Sequence, residues 1–239
     1  MIPAYEESRP WLVAAVALVA LAGAPACSRN LVERAIDARG GPLHSYRKEV
    51  DATVEIGIPG RWSWEVVFRE PDSFRWSLHT FGEDQRLIYD GERVVHQLGS
   101  ATLPPSPPDD GVRSQARWFA VTSLDILERP EVRWEELPPS ELPPGVARGL
   151  RARFADGPSP FELYFDPGGL LVRARGRVEV QPVGAGLLDA AFSDYRFIDG
   201  FRLPFSGVYR LDGELLMRES IRRWRPNDPT IGSELLSTQ

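Results

Sequence analysis

The side chains that could do chemistry are few and far apart in this sequence. His44, His79 and His96 are its three histidines, and Cys27 is its one cysteine. Histidines that bind a metal ion usually recur at short, fixed spacings, and these three do not. A single cysteine can form neither an intramolecular disulfide nor a multi-cysteine metal site. The sequence therefore predicts no metal centre and no cofactor.

The short motifs of common enzyme classes are also absent. We find no Gly-x-Ser-x-Gly nucleophile turn, no phosphate-binding loop and no dinucleotide fingerprint. Two acidic pairs, Glu83-Asp84 and Asp109-Asp110, could in principle supply a general acid and base, but both fall in predicted turns where solvation accounts for them. We predict no catalytic residue and no enzyme, although a carboxylate pair assembled only by folding would leave no sequence pattern.

Cys27 lies directly after an apolar segment. Residues 11–22 form a run that is short for a permanent membrane span and typical of a secretory signal, and Ala24-Pro25-Ala26 follows it. We interpret residues 1–26 as a signal peptide. Cys27 then fits a lipobox, in which its sulfur receives a diacylglycerol that anchors the protein to a membrane. Ordinary secretion after cleavage at Ala-x-Ala, and an uncleaved anchor, remain as alternatives.

The charge balance argues against a polyanionic partner. The chain has 28 basic and 34 acidic residues, a net charge of −6. Proteins that bind nucleic acid usually concentrate basic residues on one face, and we predict no such binding. Lys48 is the only lysine, which we interpret as a bias of base composition.

The elements that would position any site are mostly β-strands. Residues 61–97 alternate between large apolar and polar side chains, with turns at 70–72 and at Asp90-Gly91. A period of two predicts strands with one apolar face. Similar patterns and turn residues predict about eleven strands. These are residues 48–58, 62–69, 74–80, 85–89, 93–97, 149–154, 161–165, 170–180, 191–197, 201–211 and 214–223.

Two helices are predicted. Residues 31–39 form a short helix that ends at Gly40-Gly41. Residues 112–128, between two proline-rich segments, form a longer central helix that is apolar on more than one side. Such a helix is buried on two sides or covers a cavity.

All these strands share one apolar face, and little helix is available to cover it. The sheet must therefore curl upon itself. We predict a mainly β protein: one strongly curved antiparallel sheet, a half-barrel, with the central helix as plug or lid. This domain spans residues 27–225, and residues 226–239 form a loosely held tail.

The apolar face defines candidate residues for a hydrophobic cavity. An ordinary packed core would use the same residues, and the sequence does not separate the two interpretations. The candidate lining is Trp62, Trp64, Phe68, Phe74, Trp76, Leu78, Phe119, Phe154, Phe161, Phe165, Phe201 and Phe205. The candidate lid residues are Trp118, Val121, Leu124 and Leu127.

Part of the chain resembles the LolA-like and LolB-like proteins, the periplasmic carriers and outer-membrane receptors of lipoprotein sorting. The resemblance rests on PDSFRW at residues 71–76, LIYDG at 87–91 and Val94-Val95. A weaker similarity is DGFRLPF at 199–205. The resemblance to this family implies a half-barrel whose curved sheet holds acyl chains under a helical lid.

This chain departs from the family at two places. In the soluble carriers an arginine before the proline holds the lid to the sheet, whereas this chain has Glu70 there. The receptor projects an apolar residue from the loop after residues 74–80, where only Phe81 is available. Leu187-Leu188 is another candidate for an exposed apolar tip, with an inward-facing strand start as the alternative.

These observations predict a monomeric, non-enzymatic lipoprotein on the periplasmic face of the cell envelope, at the outer membrane. It would bind the acyl chains of lipids or lipoproteins, in their transfer or sorting. The alternative is an interaction or sensor lipoprotein with the same scaffold and a packed interior, whose partner is another envelope protein.

Overall fold

The structure, a computed structural model, describes residues 30–80, 83–157, 159–232 and 236. The chain begins with helix α1, Leu31–Arg39, and continues into strands β1 to β6. These strands are Ser45–Val54, Gly60–Arg69, Ser73–Thr80, Glu83–Tyr89, Val94–Leu98 and Ala101–Thr102. Helix α2, Asp110–Ser123, follows, and a 3-10 turn at Asp125–Glu128 comes directly after it.

The second half of the chain is again almost entirely β-structure. Strands β7 to β13 are Val132–Glu136, Arg148–Phe154, Phe161–Phe165, Leu171–Val180, Gly184–Ile198, Phe201–Leu211 and Glu214–Pro226. A further 3-10 turn, Pro139–Glu141, lies between β7 and β8. The predicted mainly β fold, a curved open antiparallel sheet with a central helix, is confirmed.

All thirteen strands of the described chain belong to one sheet. Its order is β6-β5-β4-β3-β2-β1-β13-β12-β11-β10-β9-β8-β7. Each half of the chain is a meander of antiparallel neighbours, and the halves join where β1 pairs with β13. The first and last strands therefore form the middle of the sheet, and strands from the middle of the chain form its edges.

This topology determines the position of α2. The helix connects β6 with β7, the two edge strands of the open sheet. A chain that leaves one edge of a curved sheet and returns at the other must cross the concave side. The helix does so and packs against the inner face with Trp118, Phe119 and Val121, all buried.

Helix α1 forms where the sequence predicts it. Asn30 and Glu33 make a reciprocal capping box at its start, and Gly40 ends it with a φ of 115°. A Cβ at Gly40 would also lie 2.1 Å from the carbonyl oxygen of Gly200, so a larger residue does not fit there. This contact seats α1 against the turn before β12.

The strand count and some boundaries differ from the prediction. The additional strands are β6 and β7, both short edge strands. The predicted helix 112–128 is divided, because Leu124 takes a φ of 70° that a continuing α-helix does not permit, and a 3-10 turn follows. Strand β11 begins at Gly184, so Leu187 and Leu188 lie within a strand. Leu188 is buried, which is the inward-facing alternative rather than an exposed tip.

The outer face of β8 to β11 carries ion pairs. Nε of Arg173 lies 2.7 Å from Oδ1 of Asp189, and Nη2 of Arg151 lies 3.0 Å from Oε1 of Glu162. Arg175 contacts both carboxylates. The polar side chains that alternate along residues 170–180 therefore lie on the solvent-facing side of the sheet, as predicted.

The described part of the predicted tail lies on the sheet. Asn227 donates a hydrogen bond to the carbonyl of Pro42, and Asp228 pairs with Arg47 at 3.3 Å. Ile231 and Leu236 pack against Val67 on the outer face, opposite the main core.

Candidate functional site

A concavity lies between the inner face of the sheet and α2. Its volume is about 570 Å³, and strands from both halves of the sheet border it together with α2. Small-molecule sites in proteins typically enclose about 300–1,000 Å³ and are lined mainly by apolar and aromatic side chains. The concavity falls within that range.

Part of the predicted lining borders this concavity. Trp62 and Trp64 of β2, Trp76 and Leu78 of β3 and Phe119 of α2 face it. The rings of Trp64 and Trp76 meet edge to face with centroids 6.3 Å apart. These strand residues share a face because side chains alternate along each strand, and β2 and β3 pair in a register that places Trp76 opposite Val66.

The remaining aromatic residues of the predicted lining do not border the concavity. Phe68, Phe74 and Phe165 are fully buried in the core, and Phe161 and Phe205 are buried as well. Phe154 and Phe201 are partly buried and pack against the same core. Whether any predicted lining residue contacts a ligand remains a prediction.

The candidate lid residues also divide into two groups. Trp118 and Leu124 border the concavity, whereas Val121 and Leu127 are packed in the core. On the β10 side, Oγ of Ser114 accepts a hydrogen bond of 3.0 Å from the backbone N–H of Glu179. This side of α2 is therefore joined to the sheet by a polar contact as well as by packing.

Two exposed apolar residues mark the opening of the concavity. Ile58 and Leu98 both line it and are 51% and 48% exposed. Ile58 lies just before β2 and Leu98 is the last residue of β5, so an apolar molecule entering there would meet hydrocarbon first. Phe81, the residue proposed from the sequence to project from a nearby loop, lies outside the described residues, as does Cys27.

The sequence did not indicate a polar cluster that also borders the concavity. Lys48, Tyr209 and Glu219 project from β1, β12 and β13 into the apolar wall, and all three are buried. Tyr209 donates a 2.8 Å hydrogen bond to Oε2 of Glu219, and Nζ of Lys48 lies 3.5 Å from the same oxygen. Burial, followed by the effect of the Glu219 carboxylate, raises the pKa of Tyr209 well above its ordinary value.

A signal for Lys48 was nevertheless present in the sequence. One face of β1 carries Tyr46, Lys48, Val50 and Ala52, and all four are buried. A lysine on an otherwise apolar face of a strand is unusual, because lysine is almost never fully buried unless it is paired. Its partner could not be read from the sequence, since Glu219 is 171 residues away.

One further group of side chains has the composition of a metal site. His44, Glu70 and Asp125 place ligand atoms within 4.8 Å of one another. Both carboxylates already face cations, because Asp125 pairs with Arg39 at 2.8 Å and Glu70 lies 3.6 Å from Arg129. A divalent cation would add two positive charges to a balanced group. We therefore describe these residues as an ion-pair network.

This network gives Glu70 a structural position. Its Oε2 atom lies 3.0 Å from Nδ1 of His44 at the start of β1, and Arg129 follows the 3-10 turn after α2. The residue before Pro71 thus connects the end of β2 with the segment after α2 through its carboxylate.

An open antiparallel half-barrel with a helix across its apolar concavity is the class of fold that these observations define. Comparison with solved structures gives the same class. A LolA superfamily protein from Nitrosomonas europaea superposes with a TM-score of 0.59 at 10% identity, covering 87% of this chain and 96% of that chain. A DUF1329 family protein from Desulfovibrio piger gives a TM-score of 0.54 at 11% identity, covering 87% and 95%.

The fold is therefore LolA-like, and the resemblance predicted from motifs within residues 71–95 is confirmed at the level of fold. An outer membrane lipoprotein-sorting protein domain from Vibrio parahaemolyticus gives a TM-score of 0.47 at 11% identity, covering 85% and 94%, which is too low to support an argument. No protein-family model and no curated protein matches the sequence. Identities of 10% and 11% establish a shared fold and nothing finer.

Proposed function

We propose that this protein is an exported cell-envelope lipoprotein that binds acyl chains of lipids or lipoproteins and takes part in their transfer or sorting. The observation that carries the proposal is the concavity of about 570 Å³ between α2 and the inner face of the sheet. In this proposal no covalent bond is made or broken, and the protein acts as a monomer.

The walls of the concavity suit a hydrocarbon guest. Trp62, Trp64, Trp76 and Leu78 present apolar surface, and Phe119 covers it from the helix. Each methylene group that leaves water for such a surface contributes about 0.8 kcal/mol. Affinity should therefore rise with the length of the acyl chain until the available volume is filled.

The lid helix supplies a route for entry. Trp118 in the helix and Leu124 directly after it face the concavity, so a shift of α2 away from the sheet would expose the interior. Acyl chains would then pass between carriers according to their relative affinities, since a ligand moves toward the state or partner that binds it more tightly.

Membrane attachment in this proposal comes from Cys27, after removal of residues 1–26. Two or more acyl chains give stable anchoring, whereas a single chain is marginal. Among the described residues, no helix has both the length and the apolar character needed to cross a membrane. We propose the periplasmic side of the outer membrane as the location.

A rival function uses the same scaffold to bind another envelope protein. Phe197 of β11 favours it, because 70% of this large apolar side chain is exposed. Exposed aromatic residues are enriched at protein interfaces. In that case the protein's own side chains would pack the interior, and residues on the outer surface would recognise the partner protein.

Native mass spectrometry of the protein purified from membranes tests the proposal. We expect lipid to co-purify and the mass of the first residue to match a diacylglyceryl cysteine. Protein that carries no lipid and takes up none from phospholipid vesicles would contradict acyl-chain binding and favour the rival function.

A further inference from the structure

The polar cluster in the wall of the concavity has three members on the inner face of the sheet. Glu219 lies at its centre, with the Tyr209 hydroxyl at 2.8 Å and the Lys48 ammonium at 3.5 Å from the same carboxylate oxygen. The side chains of Lys48 and Glu219 are only 11% and 5% exposed. All three residues border the concavity.

The surroundings of the cluster are aromatic. The ammonium of Lys48 lies 5.9 Å from the centre of the Trp224 ring, and Trp224 meets Tyr46 edge to face. Gly207 provides the space for Tyr209, because a Cβ there would lie 2.7 Å from the tyrosine ring. The backbone and the neighbouring rings thus hold these polar groups at a defined place in the wall.

Stability does not account for this arrangement. Removing two charges from water costs several kcal/mol per ion, and replacing a buried ion pair with apolar residues is often neutral or stabilising. The 3.5 Å separation of Lys48 and Glu219 is also long for a charge-assisted hydrogen bond. A contact that forms only when a ligand is present would account for the pair.

Lys48 has hydrogen-bonding capacity to offer. An ammonium group has three N–H donors. Within the described residues, the hydrogen bond to Glu219 is the only one that the Lys48 ammonium makes. Because Lys48 lines a concavity that otherwise presents mainly apolar side chains, a ligand oxygen placed beside its ammonium would find a charged donor.

We propose that Lys48 donates a hydrogen bond to the carbonyl oxygen of an ester- or amide-linked acyl chain in the concavity. This inference rests on the proposed function. Lys48 and Glu219 together carry no net charge. A neutral carbonyl leaves that balance intact, whereas the carboxylate of a free fatty acid would bring a second anion close to Glu219. The site therefore selects esterified or amide-linked acyl chains over alkyl ethers and free fatty acids.

The chemistry of the lysine side chain fits this role. Lys48 is the only lysine among 28 basic residues, and every other basic residue is an arginine. Lysine is a compact point charge, whereas arginine presents a planar fork that suits carboxylates and phosphates. A compact donor is the better match for one carbonyl oxygen in a narrow apolar wall.

A competition between matched lipids tests this inference. The purified protein is incubated with vesicles containing equal amounts of diester and diether phosphatidylcholine of the same chain length, and bound lipid is measured by native mass spectrometry. We expect the diester lipid to be enriched about tenfold, as a charged donor bonded to a carbonyl would give. In Lys48→Met the ratio should fall to about one, with total bound lipid unchanged or higher.

The control variant is Arg218→Met, which removes an exposed cation next to Glu219 and should keep the wild-type ratio. If Lys48→Met does not fold, the double variant Lys48→Met/Glu219→Leu removes both charges and takes its place.

Equal uptake of both lipids by the wild-type protein would overturn the role of Lys48 and leave acyl-chain binding intact. Uptake of neither lipid would contradict the proposed function itself. Displacement of the diester lipid by equimolar palmitate would overturn the preference for a neutral oxygen.

Discussion

Phe119 of the lid helix lies edge to face on Phe74 of β3, with ring centroids 5.3 Å apart. The same ring is 6.4 Å from that of Phe68 on β2, and both phenylalanines of the sheet are fully buried. An aromatic cluster therefore attaches α2 to the sheet at one end of the concavity. Movement of the lid would have to break this contact.

Truncation of that contact should weaken the whole fold. We expect Phe119→Ala to lower the free energy of unfolding by about 3–5 kcal/mol, because it removes a large buried ring and leaves a cavity. Urea denaturation followed by tryptophan fluorescence measures the change. Arg113→Ala, on the exposed side of α2, is the control and should stay within about 0.5 kcal/mol of wild type. A loss below about 1 kcal/mol for Phe119→Ala would show that the ring is not an anchor.

The ion pair between Arg39 and Asp125 should be equally sensitive. Asp125 accepts hydrogen bonds from Arg39 and from the backbone N–H of Leu43, and both charged side chains are buried. Asp125→Asn keeps the shape but leaves a buried guanidinium without its counter-charge, which should cost about 3–5 kcal/mol. Thermal and urea unfolding provide the measurement, with the exposed change Glu92→Gln for comparison. Matching stabilities of the two variants would mean that solvent already screens Arg39.

The buried tyrosines predict loss of stability at high pH. Burial, with the Glu219 carboxylate as the next cause, raises the pKa of both Tyr46 and Tyr209. The folded protein holds these protons more tightly than the unfolded chain does. Their contribution is therefore complete below about pH 10, the ordinary tyrosine pKa, and declines as the pH rises above it.

A single substitution isolates this effect. Each such tyrosine should lower the free energy of unfolding by about 1.4 kcal/mol per pH unit above about pH 10. Urea titrations between about pH 8 and pH 11 should show a shallower alkaline decline for Tyr209→Phe than for wild type. Parallel declines would mean that the Tyr209 hydroxyl ionises as easily in the folded state as in the unfolded one.

The proposed anchor predicts a change of cellular fraction. Without the thiol of Cys27 no diacylglycerol can be attached, so Cys27→Ala should move the protein from the membrane fraction to the soluble periplasmic fraction. Fractionation and immunoblotting report the distribution, and Ser28→Ala is the neighbouring control. Retention of Cys27→Ala in the membrane would mean that another element anchors the chain.

Local patterns were enough to predict the sheet. The alternation of Trp62, Trp64 and Val66 with polar residues follows from the two-residue period of a strand, and Asp90-Gly91 marks a turn without knowledge of the rest of the chain. The helical lid could also be inferred, because residues 118–127 are too apolar for an exposed helix.

Long-range pairing could not be predicted in the same way. The cluster of Lys48 and Glu219 depends on β1 lying beside β13, and no local pattern encodes that neighbour. The same limit explains why the aromatic set divides as it does. Phe68 and Trp64 lie on the same face of β2. Phe119 of α2 packs on Phe68, which is buried in the core, whereas Trp64 borders the concavity.

Binding of a phosphatidylcholine probe that carries a fluorescent acyl chain tests the central claim most directly. Trp76 borders the concavity and meets Trp64 edge to face, so Trp76→Glu would place a carboxylate in its apolar wall. We expect the wild-type protein to bind the probe and Trp76→Glu to bind it about tenfold more weakly or worse. Arg177→Glu, an exposed change on β10, should leave the affinity unchanged. Equal affinities of the two folded variants, or no binding by the wild-type protein, would contradict an interior that holds acyl chains.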